Sequence, residues 1–353
     1  MSGLKRPAKV AAAAVIIFIV TLAAYLVMDK KSGKEQGKPA GEAELSAWIV
    51  DWQWESGIED LETLAESLSS LQVFAAYFDH TDSLYLREDF HHMLPQIVKT
   101  YNQKGGGDLY LTLVNDRFEE DGSSVQKDTD LITRLMTSED SRAKHLNEIM
   151  VLVDRYGFDG VEIDYEKIGE DDWSSMVAFY GELYQRLREK GKLLRVVLES
   201  RAPIERLSLP EGPVYVMMAY NLYGSHGEPG PKADHAFITE LAKRLEKIPG
   251  EKVIALSAGG FDWPEEGKVT SLTEKQASEL AQRSSEKPKR DEASGSLYYR
   301  YWDEEQLEHT VWYADEITLA GWMDTARQAG YNKIALWRLG DMGPAALEYL
   351  STR

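Results

Sequence analysis

Eight short apolar segments recur along the chain, and most are separated by longer stretches with a helical spacing of apolar residues. Each segment is apolar almost throughout, which is typical of parallel strands that are covered on both faces. The pattern therefore predicts a parallel sheet whose strands alternate with helices. The predicted strands are 46–52, 72–78, 109–115, 159–166, 193–199, 214–220, 252–260 and 333–337.

Amphipathic helices are predicted most clearly in four of the intervening segments. In the first of them, Ser141 is the expected N-cap and Gly157 the expected end of the helix. Eight strand–helix units in one chain indicate the α/β class and a (β/α)8 TIM barrel over residues 44–353. The four helical segments are 141–157, 171–191, 234–250 and 314–330.

One region interrupts this alternation between the seventh and eighth strands. Residues 296–315 contain two aromatic stretches joined by an acidic turn, which predicts a small β-hairpin. The polar segment before it is expected to be a loop, so the predicted insertion covers about residues 284–315.

The N-terminal region has a different character. Residues 10–28 carry no charge, follow three basic residues and are long enough to cross a membrane as a helix. They predict a transmembrane helix within residues 1–31, with the leading tail in the cytoplasm and the barrel outside. Residues 32–43 read as a flexible linker. A cleaved signal peptide, giving a secreted protein, and a buried terminal helix are the alternatives.

Composition narrows the possible functions. The 353 residues carry a formal net charge of -19, which argues against a nucleic-acid partner. There is no cysteine, which excludes disulfides, thiolate metal ligands and a cysteine nucleophile. A hydrophobic content of 43% is enough for a large buried core.

The fourth predicted strand, DGVEIDYE over residues 159–166, carries acids where apolar residues are expected. Alternate side chains of a strand share a face, so Glu162, Asp164 and Glu166 are predicted to point to the barrel axis. Val161 and Ile163 then face the helices. Active sites of such barrels lie at the C-terminal mouth, where a crowded buried acid can stay protonated and act as a general acid. A solvated edge strand and a site for a hard metal ion are the alternatives.

Three motifs resemble those of the family 18 glycoside hydrolases, the chitinase class. DGVEIDYE resembles the signature DGxDxDxE, MMAYN (217–221) resembles the sixth-strand motif M-x-Y-D, and LWRLGDM (336–342) resembles the segment with the eighth-strand tryptophan. The resemblance covers nearly all of the chain after the linker. WRLG and EHTVWYADE (308–316) are most similar to the bacterial spore-coat and germination branch.

The resemblance implies retaining hydrolysis in which the acetamido group of the substrate replaces an enzyme nucleophile. By position, Glu166 would be the general acid and then the base, and Asp164 would orient the acetamido group and stabilise the cationic intermediate. Tyr220 would donate a hydrogen bond to the acetamido oxygen. Trp337 would form the apolar floor beneath the sugar. Tyr220 and Trp337 as ordinary core aromatic residues are the alternative.

Two positions depart from the family pattern, since Glu162 and Asn221 stand where the family usually has Asp. Both are still expected to contact the substrate. Trp263, Asp262 and Tyr223 follow the seventh and sixth strands, where loop residues of a barrel meet substrate, and are further candidates for substrate binding.

The sequence therefore predicts a membrane-anchored glycosidase that cleaves β-linked N-acetylglucosamine polymers, either peptidoglycan or chitin. We expect a monomer that needs no cofactor and no metal ion. A non-catalytic sugar-binding protein and an envelope or spore assembly protein with a hydrolase-like barrel are the alternative functions.

Overall fold

Eight parallel strands close into a barrel in the computed structural model, which describes residues 43–353. Numbered in chain order, they pair as β2-β1-β8-β7-β6-β5-β4-β3, and pairing of β2 with β3 closes the ring. The predicted (β/α)8 barrel is therefore confirmed. Strands β1 to β8 are Glu44–Val50, Leu68–Phe78, Asp108–Phe118, Gly160–Asp164, Leu193–Leu198, Val214–Met218, Lys252–Ser257 and Lys333–Trp337.

Helices cover the outside of the barrel. In the described part of the chain, helices α1 to α9 are Trp54–Leu64, Glu88–Gln103, Thr129–Met136, Glu139–Tyr156, Trp173–Glu189, His235–Leu245, Glu274–Leu280, Glu316–Gln328 and Pro344–Ser351. The connection from β5 to β6 differs from the predicted strand–helix unit, because it contains only the 3-10 turn Ile204–Arg206. Three prolines, at positions 203, 210 and 213, deprive this connection of the backbone donors that a helix needs.

The start of α4 corrects one detail of the sequence analysis. Ser138, rather than Ser141, is the N-cap, because its hydroxyl accepts a hydrogen bond from the backbone of Ser141 at 3.1 Å. Ser141 completes a capping box by accepting from the backbone of Ser138. The predicted stop is confirmed, since Gly157 has a left-handed φ of 73°.

The insertion after β7 is larger than the predicted hairpin. Two of its strands, Leu297–Trp302 and Glu308–Ala314, form that hairpin, but they belong to a five-stranded antiparallel sheet. The insertion begins at Gly259, within the segment predicted as a single strand. Gly259 turns the chain with a φ of 64°, and a Cβ there would lie 2.3 Å from the Leu272 carbonyl oxygen. The other strands are Gly259–Pro264, Thr270–Leu272 and Lys289–Arg290.

Two short strands extend the barrel sheet at its mouth. Leu84–Tyr85 pairs with the end of β2, and Ser124–Val125 pairs with the end of β3. Both turn the chain back at the strand ends, so the loops after β2 and β3 begin as hairpins. The second hairpin leads directly into the residues before α3.

The predicted membrane helix, with most of the linker, lies outside the described residues. Across residues 43–353, every helix is too short or too polar to cross a bilayer.

Apolar packing on both sides of the strands forms the core. Val161 and Ile163 of β4 are fully buried in the layer between strands and helices, as the alternation predicted. A second cluster fills the barrel interior and includes Trp48, Val216 and Ala335. The acids of β4 therefore point into a barrel whose interior is mostly apolar, which makes each of them costly to ionise.

Gly160, at the start of β4, leaves room for a neighbouring ring. A Cβ at this position would lie 2.5 Å from the Tyr110 ring and 2.7 Å from the Leu193 carbonyl oxygen. We expect Gly160→Ala to lower the free energy of unfolding by about 1–3 kcal/mol through overpacking. Gly227→Ala is the control, because a Cβ there meets no atom within 4 Å. Equal denaturant midpoints for the two variants would contradict this packing argument.

Candidate active site

Strand β4 places its three acids at three depths along the barrel axis. Glu162 is completely buried, Asp164 ends the strand, and Glu166 follows two residues later. Asp164 and Glu166 line a cavity of about 210 Å³ at the C-terminal mouth, whereas Glu162 lies outside its lining. Only the upper two acids are therefore placed to meet a ligand.

Glu162 is held inside the barrel wall. Its Oε1 accepts hydrogen bonds from Trp48 Nε1 at 2.5 Å and Thr112 Oγ1 at 3.0 Å, and its Oε2 accepts from Arg195 Nε at 2.8 Å. Thr112 and Arg195 are its register partners on β3 and β5. Glu162 is not part of the cavity lining, because side chains of the neighbouring strands occupy both of its carboxylate oxygens. Its contact with substrate stays a prediction.

Asp164 is the deeper of the two acids along β4 that line the cavity. Its Oδ1 is buried without a hydrogen-bond partner among the described residues. Burial raises the pKa of Asp164 well above its usual range, and the charges of Glu166 and Glu162 raise it further, while Lys127 opposes them. An unpaired buried carboxyl oxygen on a residue that lines the cavity is available to bind a polar group of a ligand.

Glu166 lies in the cavity wall, held by one side chain from β3 and one from the segment between β3 and α3. Its Oε2 forms an ion pair with Lys127 Nζ. Asn115 accepts a hydrogen bond from the Glu166 backbone nitrogen and donates one to its carbonyl oxygen, both at 2.9 Å. Burial raises the pKa of Glu166, and the Lys127 ammonium opposes that rise.

Tyr220 and Trp337 line the same cavity. Burial, followed by the charges of the β4 acids, raises the pKa of Tyr220, so its hydroxyl keeps its proton and can donate it in a hydrogen bond. The Trp337 ring makes edge contacts with Phe74 at 5.1 Å and Trp48 at 5.8 Å between centroids. These aromatic contacts fix Trp337 as an apolar surface beside the two acids.

Asn221 also lines the cavity and has a left-handed φ of 63°. Asn adopts this conformation more readily than most residues with a Cβ. The departure from Asp thus keeps a polar side chain at the mouth while removing one negative charge from the site.

Two further candidates lie away from the cavity. The Trp263 ring is 5% exposed and packs against Phe261, at 5.5 Å between centroids. Asp262 points to the opposite face of the inserted sheet, where it accepts hydrogen bonds from Tyr301 at 2.7 Å and His309 at 2.9 Å. Neither residue lines the cavity, because the insertion forms a sheet in which Phe261 alone of the three does so. Their contact with substrate stays a prediction.

Tyr223 is 39% exposed in the loop after β6, but it is not part of the cavity lining. Its ring covers Gly230, where a Cβ would lie 2.4 Å from the ring carbon Cγ. Tyr223 therefore packs the two ends of its own loop together, and its role in binding stays a prediction.

A buried lysine enters the cavity lining from the same loop. Lys232 Nζ donates to Ser257 Oγ and to the Ala258 carbonyl oxygen, both at 3.0 Å. Burial, with a smaller contribution from the Arg338 charge, lowers the pKa of Lys232 to about 7. The Nζ atom also lies 5.0 Å from the centre of the Phe261 ring.

Most of the lining residues were not predicted as site residues from the sequence, among them Phe74, Asn115, Lys127 and Lys232. The only sequence signal was Asn115, a polar residue at the end of the third predicted strand. Lys127 and Lys232 lie in loops, where sequence spacing does not indicate which way a side chain points. Among residues 43–353, no three His, Asp or Glu side chains are grouped to hold a metal ion.

A barrel with two acids, a buried tyrosine and a tryptophan at its C-terminal mouth has the features of a glycoside hydrolase. A model of the glycosyl hydrolases family 18 matches residues 125–341, and the chain belongs to this family. The resemblance seen in the sequence is confirmed, and the protein is a glycosidase.

Two similar proteins come from Bacillus subtilis. The uncharacterized glycosylase YvbX is 25% identical over 61% of this chain and 67% of its own length. The putative sporulation-specific glycosylase YdhD is 26% identical over 60% of this chain, and the match spans only 54% of that relative. The structure of the Bacillus cereus spore cortex-lytic enzyme SleL shares the fold, with a TM-score of 0.73 at 18% identity over 88% of this chain and 74% of that chain.

The Glu162–Arg195 pair generates a prediction about stability. Arg195→Met would leave Glu162 as an uncompensated charge inside the barrel, so we expect a loss of about 3–5 kcal/mol in the free energy of unfolding. Arg206→Met is the control, because Arg206 pairs with Glu170 at the surface and should cost about 0–1 kcal/mol. Similar urea midpoints for the two variants would show that the buried pair does not stabilise the barrel.

Asn221 generates a prediction about pH dependence. Asn221→Asp adds a negative charge to the cavity, which opposes ionisation of Glu166 and raises its pKa. The alkaline limb of kcat/KM should therefore move to higher pH, measured on an N-acetylglucosamine oligomer. Asn102→Asp adds the same charge at an exposed position on α2 and should leave the limb in place. An unchanged or lower limb for Asn221→Asp would argue against this electrostatic role.

Proposed function

We propose that the protein is a retaining glycosidase that hydrolyses β-linked N-acetylglucosamine polymers by substrate-assisted catalysis. The observation that carries the proposal is the placement of Asp164 and Glu166 in one cavity, next to Tyr220 and Trp337. Family membership supports the reaction type, because family 18 enzymes are the substrate-assisted exception among retaining glycosidases.

In the first step, the protonated Glu166 carboxyl donates its proton to the glycosidic oxygen. The acetamido oxygen of the same sugar attacks the anomeric carbon, the glycosidic bond breaks, and an oxazolinium ion forms. In the second step, water attacks the anomeric carbon and gives its proton to the Glu166 carboxylate. The sugar is released with retained configuration, and Glu166 has returned to its starting state.

Asp164 and Tyr220 would bind the acetamido group during both steps. The free Oδ1 of Asp164 can accept a hydrogen bond from the acetamido nitrogen, and a carboxylate at this position would stabilise the cationic ring. The Tyr220 hydroxyl can donate to the acetamido oxygen. Trp337 supplies an apolar surface for the sugar ring, which positions the anomeric carbon over the two acids.

For the polymer, we favour peptidoglycan over chitin. The support is the sporulation-specific description of YdhD and the cortex-lytic description of SleL, together with the motifs of the spore branch. Chitin is the alternative, and incubating the protein with purified peptidoglycan and with chitin oligomers, followed by identification of new reducing ends, distinguishes the two polymers.

The location is a separate proposal that rests on the sequence alone. We propose that residues 10–28 anchor the protein in the cell membrane with the barrel outside. Sequencing the N-terminus of protein extracted from membranes should find this segment retained. A mature N-terminus at or after Asp29 would replace the anchor with a cleaved signal peptide and a secreted enzyme.

Glu166→Gln should keep the size of the side chain but remove the proton donor. Acid–base catalysis by a positioned group contributes typically 10²–10⁴-fold, so we expect kcat on an N-acetylglucosamine oligomer to fall by about that factor. Asp164→Asn should also lower kcat, because the intermediate loses its negative partner. Glu170→Gln, in the same β4–α5 loop but exposed, is the matched control.

Substrate binding and thermal melting of each variant separate catalysis from folding. The proposal requires that Glu166→Gln still binds the oligomer and melts close to the wild type. Turnover equal to that of the wild type would rule out Glu166 as the acid. A large fall in melting temperature would instead show that the residue stabilises the fold.

A further inference from the structure

Lys127 is the only lysine or arginine of the described chain that forms an ion pair with Glu166. It comes from the segment between β3 and α3, whereas Glu166 comes from the end of β4. The pair therefore joins two neighbouring loops at the cavity wall, and Lys127 itself lines the cavity.

The backbone around Lys127 is fixed from several directions. Its amide nitrogen donates to Asp116 Oδ1 at 2.7 Å, and its φ is 53°, in the left-handed region. Asp128, the next residue, caps α3 by accepting from the Leu131 backbone at 3.0 Å and also accepts from Arg117 Nε at 2.9 Å. These bonds fix the backbone from which the Lys127 side chain starts, and the ion pair with Glu166 directs its ammonium group.

Asn115 connects this segment to the catalytic loop. Its Nδ2 donates to the carbonyl oxygens of Asp128, at 3.2 Å, and Glu166, at 2.9 Å. Its Oδ1 accepts from the Glu166 amide nitrogen. The Asn115 side chain thus fixes the position of the Glu166 backbone relative to the segment that carries Lys127. Lys127 then fixes the position of the Glu166 carboxyl group.

We propose, on the basis of the proposed function, that Lys127 is a positioning residue for the general acid Glu166. Its ammonium group holds the carboxyl in the cavity wall, and its charge sets the pH at which activity is lost on the alkaline side. Lys127 acts through Glu166 and takes no part in bond making.

The other charges around Glu166 are mostly negative, which makes the Lys127 charge important. The ionisable groups that act on Glu166 from the ends of β3, β4, β5 and β6 are Asp116, Asp164, Glu199 and Tyr220, and Lys167 of its own loop acts on Asp116. Lys167 donates its backbone nitrogen to Glu199 at 2.7 Å. Without Lys127, the acids nearest to Glu166 would favour its protonated form to higher pH.

The test is the pH dependence of kcat/KM in the full-length protein, with three substitutions at one position. Lys127→Met and Lys127→Gln remove the charge, and the second keeps a hydrogen-bond donor. Both should move the alkaline limb upward by about one to three pH units, the usual effect of a close opposite charge. Lys127→Arg keeps the charge and should keep the limb near its wild-type position. Asp164 lines the same cavity, and the Lys127 charge lowers the pKa of both acids, so removing it should move the titration of each in the same direction.

The role of Lys127 in positioning the Glu166 carboxyl is tested separately, by kcat at the optimum pH. Losing its partner should lower kcat at the optimum pH for Lys127→Met, with a smaller loss for Lys127→Arg. Lys190→Met is the control, because Lys190 pairs with Asp154 at the surface and should change neither the limb nor kcat. A loss of activity that is equal at every pH, with an unmoved limb, would reduce Lys127 to a structural role and overturn the proposal.

A second measurement does not require turnover. In protein with ¹³C-labelled glutamate carboxyls, the Glu166 signal is the one that Glu166→Gln lacks, and its titration should move to higher pH in Lys127→Gln. If the wild type hydrolyses no polymer, the proposed function fails while this titration still decides the role of Lys127. If the wild type is active and the titration is unchanged, only the inference about Lys127 fails.

Discussion

The structure depends on how one barrel strand buries three acids without accumulating three negative charges. Each isolated carboxylate would cost several kcal/mol in a mostly apolar interior. The surroundings of the acid differ at each of the three depths along β4. Glu162 is compensated by Arg195 and two neutral donors, Asp164 has a raised pKa and a free oxygen, and Glu166 meets the Lys127 ammonium.

The three acids therefore differ in role: the lowest one stabilises the barrel, and the upper two are placed where a reaction can occur. The lowest acid is part of a hydrogen-bonded wall that joins β1, β3, β4 and β5, so it contributes to the rigidity of the barrel. Asp164 and Glu166 lie where the strands end, so the charged residues of the neighbouring loops determine the charge around them. A loop can change without disturbing the barrel, which is why barrels of this kind carry their reactive groups at the C-terminal mouth.

The inserted sheet also has two different faces, because alternate side chains of a strand point in opposite directions. Phe261 and Ser271 pair across two of its strands and face the cavity, whereas Asp262 faces His309 and Tyr301 on the other side. One face of the sheet thus forms a wall of the cavity, and the other packs against α7, where the Tyr299 hydroxyl donates to the Ala277 carbonyl oxygen. Moving by one residue along this strand exchanges a residue of the cavity wall for one that packs inside the protein.

The sequence by itself determined the barrel, its eight strands and the two acids at the mouth, because these follow from a local period and a short motif. It did not determine that Glu162 would be sealed by Trp48 and Arg195, since those residues are 114 and 33 positions away along the chain. It also did not place Lys127 against Glu166 or bury Trp263. Those contacts depend on which way loops turn and which faces of distant elements meet, and only the closed barrel decides them.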